Sequence, residues 1–181
     1  MSSATKSSKS ALPTETLYPV SVVMEKREKS RDQWSFTEWK VTGILPASQD
    51  EVAGYPDRVL VHEDNNCQRY LWRNFTIELL KDGAESYWNN LMASNPALFV
   101  VCRIDEASED LEPFLVTANY DEIIGYLEVD DQVFSLSIPP EIYQWLERYI
   151  VKNYVPPERR KRKRTQWDEK NDQAPPPARR H

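Results

Sequence analysis

The chain has 181 residues and a mass of 21.2 kDa, and its 40% hydrophobic and 11% aromatic residues provide a core for one ordinary domain, hardly for two. Its four glycines are isolated from one another, which excludes the Gly-rich phosphate loops of nucleotide-binding proteins. The net charge of −6 divides unevenly: residues 156–181 hold nine Lys/Arg and four Asp/Glu (+5), and residues 1–155 hold fourteen and twenty-five (−11).

Cysteine content and hydropathy indicate the cellular compartment in which the protein is found. Cys67 and Cys102 lie far apart with no CxxC motif, which argues against a disulfide scaffold or a cysteine zinc site. No apolar run approaches the roughly 18 residues of a membrane span, and residues 1–16 lack the apolar stretch of a secretory signal. We therefore expect a cytoplasmic protein.

Alternating side chains predict strands in the first half of the chain. Segments 18–25 and 36–45 alternate apolar and polar residues, with a polar connector between them. Segments 59–62 and 68–73 flank turn-forming residues, which predicts a hairpin whose second strand continues to about residue 80.

After Gly83 the spacing of apolar residues changes from that of a strand to that of a helix. Apolar residues between 84 and 94 fall on one helical stripe that Pro96 closes. The continuous apolar run 97–104 predicts the most buried strand, and segment 114–118 predicts a shorter one.

Two more helices are predicted towards the end. Asn119 and Glu122 resemble a capping box that opens a helix, which we expect to bury Ile123, Ile124 and Leu127. A last strand at 133–138 precedes the clearest amphipathic helix, whose apolar residues are Ile142, Trp145, Leu146, Tyr149 and Ile150.

Together these elements predict an α+β domain at residues 17–155, with a curved, largely antiparallel sheet of about seven strands and three helices in the later half. Residues 1–16 are predicted to be a disordered N-terminal tail. Residues 156–181 are predicted to be a basic, Pro-rich disordered C-terminal tail.

Motifs for catalysis or metal binding are weak. His62 and Cys67 flank the predicted hairpin loop. One hypothesis is that they form a Cys/His nucleophile pair or half of a metal site. Neither an orienting third group nor two further ligands can be identified. Cys102 is expected to be an inert buried thiol, and the acidic loop 105–112 to be solvated. We therefore predict no enzyme activity, no cofactor and no metal.

Tryptophans are unusually numerous. Trp39, Trp88 and Trp145 lie on apolar faces and are expected in the core, whereas Trp34, Trp72 and Trp167 are not so easily placed. Because exposed aromatic residues mark interfaces, Trp34 and Trp72 are candidates for contacting a partner protein.

The strongest local signal is a run of six cations, made up of Arg159, Arg160, Lys161, Arg162, Lys163 and Arg164. Three interpretations compete: a solvated or self-docked tail, contact with an acidic protein partner, and contact with nucleic acid or an anionic membrane. No aromatic residue interleaves the run to stack on bases, and the acidic body would repel a polyanion. Nucleic acid is therefore the less favoured partner.

Several segments in order are similar to one bacterial cytoplasmic family of unknown function. They are 18–27, 39–46, 85–91, 96–103, 113–118, Glu122 with 126–127, Trp145 and 161–164. The resemblance implies a small protein commonly encoded beside formate-dehydrogenase-type molybdoenzymes.

The resemblance further implies help with maturation, assembly or partnering of such an enzyme. We therefore expect a non-catalytic accessory protein that binds a molybdoenzyme subunit or its chaperone, with the basic run steering association. The alternative is a nucleic-acid-associated regulatory protein that acts through its basic tail.

Overall fold

The structure is a computed structural model and describes residues 12–31, 33–47, 57–129 and 131–156. Within them lie seven strands and three α-helices, and the α+β class predicted from the sequence is confirmed. The strands are β1 (Leu17–Arg31), β2 (Trp34–Pro46), β3 (Arg58–Asp64), β4 (Cys67–Glu78), β5 (Ala97–Ile104), β6 (Leu111–Thr117) and β7 (Gln132–Ser137). The helices are α1 (Ala84–Leu91), α2 (Tyr120–Leu127) and α3 (Pro140–Asn153), and a 3-10 turn (Lys81–Gly83) precedes α1.

The seven strands form two antiparallel sheets. The first sheet has the order β2-β1-β4-β3, and the second has the order β6-β5-β7. β4 of the first sheet lies against β6 of the second, and β2 lies against β7, so the sheets meet along two seams. A single core fills the space between them.

β5 is the most buried strand, as its continuous apolar run predicts. Leu98, Val100 and Cys102 contribute to the main core between the sheets. Phe99 and Val101 pack with Ile123 of α2 in a separate, smaller cluster. A strand covered on both faces has no solvent side, which explains why its sequence does not alternate.

The last helix, α3, closes the main core. Its Trp145 ring meets Tyr18 of β1 edge-on at 5.1 Å between centroids, and its Tyr149 meets Tyr87 of α1 at 6.2 Å. Trp145 Nε1 also donates a hydrogen bond to the carbonyl oxygen of Thr14 at 2.7 Å. Residues 12–16, expected in the N-terminal tail, thus include a contact with the folded domain.

A β-ribbon replaces the polar connector expected at 26–35. β1 and β2 pair as far as Arg31 and Trp34, whereas the pairing of β1 with β4 ends at Arg27. Cross-strand polar contacts hold the ribbon: Lys29 Nζ lies 2.7 Å from Glu38 Oε2, and Thr37 Oγ1 donates to Glu28 Oε1 at 2.8 Å. We call residues 28–37 the arm.

The expectation for α2 is only partly confirmed. Asn119 caps the helix, because its side chain accepts a hydrogen bond from the Asp121 backbone N–H at 3.0 Å. Ile123 is buried, but Ile124 and Leu127 are exposed. The second sheet covers only one side of this short helix. Because successive residues are rotated by about 100° around the helix axis, that side includes Ile123 but not Ile124 or Leu127, and the prediction that all three are buried is wrong.

Candidate functional site

The two candidate tryptophans have opposite environments. Trp34 lies at the end of the arm and is 79% exposed, with Phe36 half exposed two residues along the same strand. Trp72 is 7% exposed and belongs to the main core. Contact with a partner requires an exposed indole, and the structure shows one at Trp34 but not at Trp72.

The six cations of the basic run lie outside the described residues. These are Arg159, Arg160, Lys161, Arg162, Lys163 and Arg164. Described residues end at Pro156, just after α3, where the Tyr154 ring contacts Trp88 of α1 in a tilted arrangement at 5.9 Å between ring centroids. The residue after α3 thus lies beside α1.

A cluster of cations and aromatic rings links the two sheets. Arg58 of β3 lies 4.0 Å from the Tyr70 ring centroid, and its Nη2 is 2.8 Å from Asp110 Oδ2 in the β5–β6 loop. Lys26 Nζ lies 2.9 Å from the other Asp110 oxygen and 5.4 Å from the Trp39 ring. We call Lys26, Trp39, Arg58, Tyr70 and Asp110 the Arg58 cluster.

The Asp110 carboxylate remains charged in this cluster. Burial raises the pKa of Asp110, but hydrogen bonds from Lys26 and Arg58 outweigh that effect, so the net direction is down. Both cations are satisfied by the same carboxylate. The cluster therefore connects strands of the first sheet to the loop between β5 and β6 of the second.

A cleft of about 850 Å³ opens next to this cluster, between β4 and β6. Its position follows from the strand pairing: β3 begins at Arg58 opposite Trp72, so the later part of β4 has no neighbour on that side among the described residues. β6 is likewise the edge strand of the second sheet. Asn74, with a φ of 66° in the left-handed region that asparagine tolerates, marks the change of register in β4.

The lining of the cleft is strongly acidic. One basic residue, Arg73, faces six acidic ones, which are Asp57, Glu78, Asp82, Glu112, Asp121 and Glu122. We call this feature the acidic cleft. Sequence reasoning missed it because the six carboxylates come from five separate stretches of chain, and no local pattern brings them together.

Glu112 has a raised pKa, caused by burial and by charges outside the lining of the acidic cleft. Burial raises the pKa of Glu112, neighbouring Asp105 and Asp110 raise it further, and Arg58 opposes them. The Arg58 Nη1 atom lies 4.0 Å from Glu112 Oε1, too far for a hydrogen bond. A cation that bound in the acidic cleft would therefore relieve an unfavourable charge.

A buried donor belongs to Trp72, another residue of this lining. Within the described residues its Nε1 atom is buried without a hydrogen-bond acceptor. A buried N–H group without an acceptor costs about 1–3 kcal/mol. The acidic cleft therefore combines unbalanced negative charge with an unused donor.

His62 and Cys67 are not brought together as a reactive pair. In the β3–β4 register His62 lies opposite Arg69, and Cys67 lies opposite Asp64. His62 Nε2 faces Asp64 Oδ2 at 3.5 Å. Burial and the neighbouring Glu25 raise the pKa of the Cys67 thiol, which disfavours the nucleophilic thiolate.

The second thiol is still less reactive. Cys102 is fully buried in the main core, and burial raises its pKa to about 12. This agrees with the inert thiol predicted from the sequence. Among the described residues no three His, Cys, Asp or Glu side chains are grouped to hold a metal ion, and none of the helices there has the length and apolar character for a membrane span.

The fold and these features define a class: a small α+β domain with an exposed aromatic arm and an acidic cleft between two strand edges. The chain belongs to the family described as "Protein of unknown function (DUF3305)", whose model matches residues 19–163. The match covers the described residues from 19 onwards and continues into the basic run. No curated protein and no solved structure matches the chain.

Proposed function

We propose that this protein is a non-catalytic accessory protein that binds a partner protein through its arm. The observation that carries the proposal is Trp34, which is 79% exposed at the end of the arm. Tryptophan is enriched at binding hot spots because it buries a large area at little cost in side-chain entropy. Packing within the domain gives no reason for an indole at this position.

The geometry of the reactive residues supports the non-catalytic part of the proposal. Both thiols have raised pKa values, and His62 lies opposite Arg69 rather than Cys67. The carboxylates of the acidic cleft are spread over several elements around an open volume. These arrangements suit binding better than nucleophilic chemistry.

The class of partner comes from the family resemblance and not from the geometry. The resemblance implies a catalytic subunit of a formate-dehydrogenase-type molybdoenzyme, or a chaperone that matures it. Assistance of this kind requires a surface that recognises another protein, and the arm supplies one.

A recovery experiment with matched variants tests this proposal. Tagged full-length protein, Trp34→Ser and Val151→Ser are purified from nuclease-treated native lysate, and bound proteins are identified by mass spectrometry. Val151 is a suitable control because it is 77% exposed on α3 and outside the arm. We expect the wild type and Val151→Ser to recover a molybdoenzyme subunit or its chaperone, and Trp34→Ser to recover at least about tenfold less.

Equal recovery by Trp34→Ser would contradict the role of the arm. Recovery of neither class of protein, with nucleic acid bound in a sample not treated with nuclease, would instead favour the regulatory protein.

A further inference from the structure

The charge of the acidic cleft is not explained by the fold alone. Asp121 and Glu122 lie in the first turn of α2, where negative charge favours the helix, and Asp57 accepts a hydrogen bond from Asn74 Nδ2. Glu78 and Asp82 have no hydrogen bond or ion pair among the described residues that would account for them. Carboxylates so placed repel one another unless a cation comes between them.

The unused donor of Trp72 is an independent observation at the same place. Its side chain is more than nine-tenths buried and lines the acidic cleft, and its Nε1 has no acceptor among the described residues. Buried indole N–H groups normally find an acceptor. A ligand for the acidic cleft should thus carry several positive charges and at least one hydrogen-bond acceptor.

A basic peptide segment has both properties. Its Lys and Arg side chains pair with the carboxylates, and its backbone carbonyl oxygens accept hydrogen bonds. The acidic cleft also lies between two strands, β4 and β6, that each have an edge without a neighbour in the part of the chain that the structure describes. Such edges accept extended peptides, although Pro113 removes one donor from β6.

The chain itself contains such a segment within reach. Two residues before the last described residue, Pro156, the Tyr154 ring contacts Trp88 of α1, and the adjacent Tyr87 lines the acidic cleft. At about 3.4 Å per extended residue, Arg159 lies up to about 10 Å from Pro156 and Arg164 up to about 27 Å. Because Tyr87 directly precedes Trp88 in α1, the nearest part of the acidic cleft lies within this range.

We propose that the acidic cleft binds the basic segment of its own chain, residues 159–164. The family match includes most of this segment along with the domain, ending at residue 163. Each ion pair at an exposed cleft is weak, but a short tether raises the effective concentration of the segment to the millimolar range. Binding also covers the six cations, which reduces their contact with phosphates. This inference does not depend on the arm or on the partner proposed above.

Zero-length cross-linking of the full chain gives the first test. Carbodiimide joins lysine amines to carboxylates, so Lys161 or Lys163 should become linked to Glu78, Asp82, Glu112 or Glu122. An equal mixture of ¹⁴N- and ¹⁵N-labelled protein distinguishes linkage within one chain from linkage between chains. We expect links within one chain that decline steeply between 50 mM and 500 mM salt.

Mixed-isotope pairs as the main product would overturn the proposal and place a second copy in the acidic cleft. Links spread evenly over carboxylates elsewhere on the surface would overturn it in favour of a solvated segment.

Competition with a peptide gives the second test. A fluorescent peptide of residues 157–166 is titrated into wild-type protein and into a full-length variant in which all six cations are Gln. We expect at least about tenfold tighter binding to the neutral-tail variant, since its own segment no longer competes. In that background, Glu78→Gln/Asp82→Asn/Glu112→Gln should weaken binding at least tenfold.

The matched control neutralises exposed carboxylates outside the acidic cleft, Glu106→Gln/Glu147→Gln, and should change binding less than twofold. Three results would each refute the proposal. They are equal affinity of the peptide for the wild type and for the neutral-tail variant, no loss of affinity when the three cleft carboxylates are neutralised, and no binding of the peptide to any of these proteins. If the triple variant does not fold, the cross-linking result decides.

Discussion

On the face of β1 opposite the core residue Met24, Glu25 accepts hydrogen bonds from two arginines. Arg27 Nε donates to one carboxylate oxygen, and Arg69 Nη2 donates to the other at 2.9 Å. These bonds lower the pKa of Glu25 from 4.5 to about 2, with the Arg27 bond the larger cause. The side chains of the arginines cover the carboxylate, which is 5% exposed although it lies outside the main core.

Replacing Arg69 should therefore destabilise the fold in a pH-dependent way. Glu25 has a lower pKa in the folded than in the unfolded state, so its contribution is complete above about pH 4.5 and disappears as the pH falls towards 2. We expect Arg69→Gln to lower the free energy of unfolding by about 1–2 kcal/mol at pH 7, since Arg69 is itself partly exposed. Urea unfolding followed by circular dichroism at a series of pH values measures this.

The control for this prediction is Arg148→Gln. Arg148 is an exposed arginine whose Nε donates to the Gln144 carbonyl oxygen of its own helix, and its loss should cost less than about 0.5 kcal/mol. A destabilisation by Arg69→Gln that stayed constant from pH 7 to pH 2 would contradict the role assigned to Glu25.

At the scale of elements, two glycines in helical segments should respond oppositely to alanine. A Cβ atom at Gly83, just before α1, would lie 2.6 Å from Tyr87 Oη and 2.7 Å from its Cζ. The ring cannot easily move, because the Leu80 backbone N–H donates to its hydroxyl at 3.1 Å. A Cβ atom at Gly125 in α2 would meet nothing within 4 Å.

We therefore expect Gly83→Ala to lower the free energy of unfolding by about 1–3 kcal/mol, the usual cost of overpacking. Gly125→Ala should raise it by about 0.5–1 kcal/mol, because alanine favours helix. Thermal and urea unfolding of both variants measure the two effects. Stabilisation by Gly83→Ala would show that Tyr87 is free to shift.

The elements could largely be predicted from the sequence, and the exceptions have physical reasons. The apolar run of β5 and the stripe of α3 depend on local periodicity, which sequence reveals directly. The arm was missed because its strands hold together through polar cross-strand pairs, such as Lys29 with Glu38, and its apolar residues Trp34 and Phe36 are exposed. The exposed side of α2 was missed because periodicity gives the spacing of Ile123, Ile124 and Leu127 but not how wide a face the sheet covers.

At the scale of the whole molecule, the candidate site depends on how the strands are arranged in the two sheets. The sequence shows that Trp34 lies on no clear apolar face, but it does not show that the side chain is exposed. That exposure follows from the position of Trp34 at the end of the arm. The acidic cleft depends on β4 and β6 meeting along a seam, which no local pattern encodes. The burial of Trp72 has the same origin, since the core cluster to which it belongs draws residues from both sheets and α3.

The N-terminal boundary of the domain is another property of the whole fold. Thr14 and Thr16 supply the backbone carbonyl oxygens for two distant donors, Trp145 Nε1 at 2.7 Å and the Leu79 N–H at 2.8 Å. Thr14 Oγ1 also accepts from the Leu17 N–H at 3.0 Å. Deleting residues 1–16 should therefore leave the buried indole N–H of Trp145 without its acceptor.

We expect the 1–16 deletion to lower the free energy of unfolding by about 2–3 kcal/mol, and the 1–11 deletion to change it by less than about 0.5 kcal/mol. A double-mutant cycle with Trp145→Phe isolates the cause, because phenylalanine has no N–H to leave unsatisfied. In that background the extra cost of removing residues 12–16 should shrink by about 1 kcal/mol or more. An unchanged cost would show that packing of the segment against α3, and not the hydrogen bond, sets the boundary.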